Sequence, residues 1–389
     1  MKPRVLYSGE SHGLALTAIV EGFPAGLRLD LAAVNNELRR RQGGYGRGGR
    51  MKIERDEVEF ISGVRHGETI GSPITVVVRN RDHDNWSVVM NAWTPRGQPS
   101  DDRRLTRPRP GHADLAGGMK YNRRDLRDIL ERASARETAA RVAVGAIAKQ
   151  LLATLGVRIA SHVVRVGRIA INTPTVFDVD EIARKSEESE MRCVDAEATT
   201  EMMAEVDRAR DGRDTLGGTF EVVVGGVPPG LGSHVTWDRR LDARLAAVVM
   251  SVPAVKAVEI GLGVGVAAAF GSAVHDPIVF ADGRFQRTRN NAGGIEGGMS
   301  NGEPIVVRGA LKPISTLPSP LASVDIDTKK PGGAATERSD TCAVPAAAVI
   351  GEAVVAWVVA EAVLEKFGGD SLGEFKRNVE GYRAQVAQF

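Results

Sequence analysis

Residues 343–367 read as one long buried helix, stopped by Gly368-Gly369, and no other stretch constrains the fold as strongly. A helix that is apolar on every side has to be enclosed, so other elements must pack around it. The chain has 389 residues, 42% hydrophobic and 26% charged, which is enough to build that enclosure. No uninterrupted apolar run of about 20 residues occurs, so no membrane span is expected. Residues 1–5 lack the apolar core of a signal peptide. Cys193 and Cys342 are far apart and in no metal-like spacing. These features suit a cytoplasmic protein without disulfides or zinc.

The remaining elements mix both periods. Strands are predicted near residues 5–7, 14–20, 58–64, 74–78, 157–166, 219–224, 257–262 and 304–307. Helices are predicted at 31–40, 125–155, 178–190, 199–209 and 238–250. This order fits α+β better than a regular βαβ series. In the helix at 125–155, Arg132 and Arg136 stand four apart and would share one face, with Gly156 ending it. Residues 80–118 are dense in Asn, Asp, Gly, Pro and Arg, and a long irregular segment in a compact chain usually carries function.

Net charge is only +2, yet the cations are clustered. Arg39, Arg40, Arg41, Arg47 and Arg50 form one group, and Arg103, Arg104, Arg107 and Arg109 another. Local clusters on a near-neutral chain suit a small anion better than nucleic acid. The stretch R-R-R-Q-G-G-Y-G-R-G-G-R at 39–50 also resembles an RGG-type RNA-binding element, but it occurs once, between structured segments.

Four further segments carry chemistry. Gly9-Glu10-Ser11-His12-Gly13 spells G-x-S-x-G, the elbow of serine hydrolases. That elbow needs a strand before it and a helix after it, whereas residues 14–20 look extended. Taken alone, His12 is an ordinary turn histidine. Arg107-Pro108-Arg109-Pro110-Gly111-His112-Ala113-Asp114 sets an imidazole, the side chain suited to proton exchange near neutral pH, among cations. Between Arg132 and Arg136, small Ala133, Ser134 and Ala135 would let a flat ring approach. Lys312-Pro313-Ile314-Ser315-Thr316 and Glu337-Arg338-Ser339-Asp340 precede the long helix, where Ser339 or Asp340 would cap its start beside Arg338. Asp82-His83-Asp84 is read as a polar loop rather than a metal site.

In order along the chain, G-E-S-H-G…E-G-F-P-A-G at 9–26, E-R-A-S-A-R-E-T at 131–138 and E-R-S-D-T-C-A-V-P-A at 337–346 resemble the chorismate synthase family. R-P-G-H-A-D, G-G-I-E-G-G-M, K-P-I-S-T and S-V-D-I-D-T between them extend the resemblance to nearly the whole chain. The resemblance implies a single α+β domain over residues 1–389, a helical layer between two antiparallel sheets, assembled as a homotetramer. It implies 1,4-anti elimination of phosphate and a ring proton from 5-enolpyruvylshikimate 3-phosphate, dependent on reduced FMN. It implies His12 as general acid, His112 beside flavin N1, Asp340 as a proton relay near flavin N5, and Ser11 and Ser134 as orienting groups. Candidate substrate cations are Arg41, Arg47, Arg50, Arg109, Arg136 and Arg338. Flavin contacts carried over by motif are Arg132, Ala133, Ser134, Pro253, Ala254, Gly297, Lys312, Pro313, Ile314, Ser315, Thr316 and Arg338. A proline at 253 lacks the N–H donor, so a contact through that group would be lost. No clean G-x-G-x-x-G follows a strand, so NADPH is expected to act only indirectly, through a separate flavin reductase.

Overall fold

In the computed structural model, which describes residues 3–48, 55–93, 103–172, 178–337 and 339–389, the enclosed helix runs from Val344 to Phe367. It ends at Gly368, whose φ is 60°, as the Gly-Gly stop predicts. Its start corrects the sequence reading. Ala343 occupies the cap position without a side-chain bond, and Pro345 in the first turn has no N–H to satisfy. Ser339 and Asp340 therefore do not cap it. By length and composition this helix could cross a membrane, but 94% of its most apolar window is buried in the protein.

Antiparallel sheets of four and five strands pack against the helices. The first has the order Arg4–Ser8, Ala15–Glu21, Ile74–Arg79, Val58–Ser62. Leu16, Ala18 and Val20 on one strand, and Ile74, Val76 and Val78 on its neighbour, turn inward by the two-residue period. Each large aliphatic side chain buried there contributes about 1.5–3 kcal/mol. The second sheet has the order Val255–Ile260, Ile305–Leu311, Gly218–Gly225, Arg158–Val166, Ile169–Ala170.

Helix Thr138–Ala153 packs on Ala15–Glu21 and Ile74–Arg79 of the first sheet and on Val344–Phe367. Val344–Phe367 packs in turn on Arg158–Val166 and Gly218–Gly225 of the second. The two helices touch backbone to backbone at Gly145, where an added Cβ would lie 2.5 Å from Ala353 Cα. One hydrophobic cluster joins Leu16 and Val76 of the first sheet to Val222 and Val307 of the second. A charge group sits inside it. Glu352 accepts from Arg40 at 3.0 and 3.1 Å, from Ser161 Oγ at 2.8 Å, and from Lys149. Burial opposes ionisation of Glu352, but Lys149 and Arg40 outweigh it and hold the carboxyl well below its ordinary range.

The predicted helix at 125–155 is broken. Arg127–Ala133 is one helix, Ser134 is extended at φ −69° and ψ 141°, a 3₁₀ turn spans Ala135–Glu137, and Thr138–Ala153 follows. Arg132 and Arg136 consequently do not share a face. A final helix, Leu372–Ala387, and the hairpin Ile278–Ala281 with Arg284–Arg287 were not anticipated. Within 80–118 the chain forms a 3₁₀ turn, His83–Trp86, and a short helix, Asp114–Lys120.

Candidate active site

The break at Ser134, the turn after Arg4–Ser8, the segment 103–113 and the loop before the central helix open on one cavity of about 1100 Å³. Ser11, His12, His112, Ser134 and Asp340 all line it. So do Arg41, Arg47, Arg109 and Arg136. Of the flavin candidates, Ala133, Ser134, Pro253, Ala254, Lys312, Ile314, Ser315 and Thr316 line it, whereas Arg132, Pro313 and Gly297 do not. Gly297 is exposed in the turn of the hairpin Ile295–Glu296 with Met299–Ser300. Arg50 and Arg338 lie outside the described residues.

His12 is fixed by Glu131. Gly9, at φ +103°, turns the chain off the first strand, and Ser11 N–H bonds the Glu131 carbonyl at 2.9 Å. The Glu131 carboxylate accepts from His12 N–H at 2.8 Å and from ring Nδ1 at 2.9 and 3.0 Å. Arg127 Nη1 donates to the same carboxylate at 3.1 Å. Burial opposes ionisation of Glu131, but the bonds from His12 and from Arg127 outweigh it and lower its pKa. An ionised acceptor requires the proton on Nδ1, so Nε2 is the nitrogen left for other chemistry. The strand Ala15–Glu21 follows the turn, so the strand–turn–helix of a hydrolase elbow is not formed.

His112 repeats this plan. Its Nδ1 donates to Asp114 Oδ1 at 2.6 Å, and Asp114 also accepts from Arg109 Nε at 2.9 Å and Arg109 N–H at 3.1 Å. Arg109 Nη1 reaches Thr316 Oγ1 at 2.9 Å, tying this cluster to the 312–316 segment. Burial penalises the Asp114 carboxylate, but His112 and Arg109 outweigh it and hold the group well below the usual range.

The candidate substrate cations are set by internal acceptors. Arg136 bonds Asp56 at 2.6 Å and Asn80 Oδ1 at 2.8 Å, and Arg41 reaches the same Asp56 oxygen at 3.5 Å. Two buried guanidinium groups on one carboxylate leave that wall of the cavity positive. Arg47 donates to Asp340 at 2.6 Å, and Gly48 N–H to the same carboxylate at 2.6 Å. Asp340 is thus engaged by the Arg-Gly loop rather than by the helix start. Tyr45 of that loop bonds Glu190 and Asp207, and Gly46 bonds Thr341, so the loop is docked in the fold and not a free arm.

Ser134 Oγ accepts from Arg136 N–H at 3.3 Å and so supports the break. Arg132, exposed, turns instead to the carbonyls of Gly9 and Tyr7 at 2.9 and 3.4 Å. Ala254, at φ +73°, offers its carbonyl to Lys312 N–H at 2.9 Å. Lys312 Nζ donates to Ser315 Oγ at 2.6 Å, and burial together with Lys256 lowers its pKa. Sequence reasoning missed Glu131, Arg127, Asp56 and Trp86. Glu131 stood in a quoted motif, and Trp86 is a large aromatic in a polar segment. Asp56 carried no signal.

The profile of the chorismate synthase family matches residues 4–364. A chorismate synthase of Brevibacillus brevis is 54% identical over 387 residues, covering 99% of this chain and 100% of that protein. One from Geobacter sulfurreducens is 56% identical over 395 residues, with the same coverage. A crystal structure of chorismate synthase matches with a TM-score of 0.80 at 44% identity, covering 100% of this chain and 99% of the other.

Proposed function

This chain belongs to the chorismate synthase family, and we propose that His12 and His112 are the proton-handling groups of its reaction. The reaction is a lyase step: 5-enolpyruvylshikimate 3-phosphate loses phosphate and a ring proton to give chorismate. One observation carries the residue reading. Two histidines in one cavity each present Nδ1 to a buried carboxylate that a buried arginine also grips.

His12, with Nδ1 on Glu131, donates a proton from Nε2 to the departing phosphate. His112, with Nδ1 on Asp114 and Arg109 Nη2 3.3 Å from Nε2, would control the charge at flavin N1. Asp340 relays the ring proton once it leaves Arg47 and Gly48. Ser11 and Ser134 orient these groups. Arg41, Arg47, Arg109 and Arg136, with Arg50 and Arg338, bind the two carboxylates and the phosphate of the substrate.

The family uses reduced flavin. The cavity fits it: about 1100 Å³ exceeds the usual space of one small ligand, and Ala133 and Ala135 leave a wall of small side chains. Ala133, Ser134, Pro253, Ala254, Lys312, Ile314, Ser315 and Thr316 would hold it. A flavin contact through an N–H at Pro253 is absent, and one through its carbonyl is retained. When bound, reduced FMN supplies transient electron donation to the breaking C–O bond without net redox change. The residues around it orient the substrate and exclude water. We keep NADPH outside the site, acting through a separate reductase.

The sheet and helix contacts support a helical layer between two antiparallel sheets as a single domain over residues 1–389. A cytoplasmic homotetramer, without nucleic-acid or membrane partners, completes the reading. The test is anaerobic turnover of 5-enolpyruvylshikimate 3-phosphate with dithionite-reduced FMN, read by chorismate absorbance. His12→Ala and His112→Ala should each lose most turnover while still binding FMN. Near wild-type rates in either variant would remove that histidine from the mechanism.

A further inference from the structure

A bond from Nδ1 to Glu131 leaves the His12 imidazole free to pivot about that contact. A carboxylate lying in the ring plane sets where one nitrogen goes, not the tilt of the plane. A second contact that fixes the tilt comes from residues 80–86, which include the polar triplet Asp82-His83-Asp84.

Trp86 is buried, and its ring is stacked on His12 with centroids 3.8 Å apart and planes 22° apart. Its position is over-determined. The indole Nε1 donates to Asp82 Oδ2 at 3.3 Å, and the guanidinium carbons of Arg103 and Arg127 lie 4.0 and 5.0 Å from its centroid. The same segment holds the His12 backbone. His83 Nδ1 lies 3.2 Å from the His12 carbonyl, and Asn80 Nδ2 donates to the carbonyls of Glu10 and Gly13 at 3.2 and 2.6 Å. Asn80 also accepts from Arg136, so this clasp begins at a substrate-side cation and ends on the imidazole face.

We infer that Trp86 is a positioning residue for His12: its indole face holds the imidazole plane so that Nε2 keeps a fixed bearing on the cavity. Aromatic faces at this separation attract, and a second aromatic ring can take the place of the first. An aliphatic side chain has no flat face and does not fix the tilt. The inference rests on the reading of His12 as proton donor.

The test uses the full-length chain with reduced FMN and 5-enolpyruvylshikimate 3-phosphate, comparing Trp86→Leu and Trp86→Phe. Misplacing a reacting group by about 1 Å costs up to about a hundredfold in rate. Trp86→Leu should therefore lower kcat by roughly tenfold to a hundredfold while KM stays within about twofold, and Trp86→Phe should restore most of the loss. Wild-type kcat in both variants overturns the inference, as does an equal loss in both accompanied by a lower melting temperature.

Fluorescence supplies a readout free of turnover. Trp86 emission, taken as the spectrum lost on Trp86→Phe, should rise when the stacked ring is removed by His12→Ala, and unchanged emission overturns the stack. An inactive His12→Ala with a fully active Trp86→Leu sinks this inference alone. A fully active His12→Ala sinks it together with the reading of His12.

Discussion

His12 and His112 are held by the same chemistry over very different chain separations. His12 meets its carboxylate 119 residues away, and His112 meets its own two residues away. The first cluster exists only when Arg127–Ala133 docks on the turn after the first strand. The second is almost self-contained, since Arg109, His112 and Asp114 lie within six residues and Thr316 adds one outside bond. A long-range cluster couples the placement of its acid to the packing of two elements, whereas a local one travels as a unit.

The largest effect that could break this comparison is loss of an imidazole. General acid–base groups contribute about 10²–10⁴-fold, so His12→Ala should cut turnover by that range with folding intact, measured by anaerobic assay beside circular dichroism. Next is the pair of isosteric changes at the carboxylates. Glu131→Gln should lower kcat by about tenfold to a hundredfold and reduce the melting temperature, because His12 and Arg127 both use that carboxylate. Asp114→Asn should reduce kcat with a smaller melting shift, and equal shifts would erase the distinction between distant and local clusters. Arg47 belongs to neither cluster and serves as the reference: Arg47→Lys should raise KM for substrate more than it weakens FMN binding, because an ammonium cannot form the paired contact. The smallest effect is in acid. Glu131 and Asp114 both have folded-state values below the unfolded carboxyl value of about 4. Their stabilisation is complete above that value and is lost as pH falls through the folded values. Urea midpoints measured from pH 7 to 3 should fall in acid, and each isosteric variant should fall less steeply.

Much of this was legible in the sequence because it obeyed a period or a stop signal. Ala15–Glu21 and Ile74–Arg79 of the first sheet follow alternation, Arg158–Val166 and Gly218–Gly225 of the second carry apolar runs, and the central helix stops at a Gly-Gly pair. The break at Ser134 was not legible, since A-S-A-R contains no strong breaker. It is imposed by distant groups, Asp56 and Asn80, which take Arg136 inward while Arg132 turns to Gly9 and Tyr7. The cap role given to Asp340 failed for a related reason, because Arg47 and Gly48 claim its carboxylate from nearly 300 positions away. His12 and His112 could be named from motifs, but Trp86 and Glu131 acquire meaning only through contacts formed on folding.

The central helix has one more consequence, for synthesis. Val344–Phe367 packs on two strands of a sheet whose strands all lie before residue 312, so it is translated after that sheet is complete. Until then Arg158–Val166, Gly218–Gly225 and the matching flank of Thr138–Ala153 lack the helix that covers them, which invites mispairing and aggregation. Ribosomes stalled after residue 330 should display protease-sensitive nascent chains, whereas the released full-length protein should be resistant.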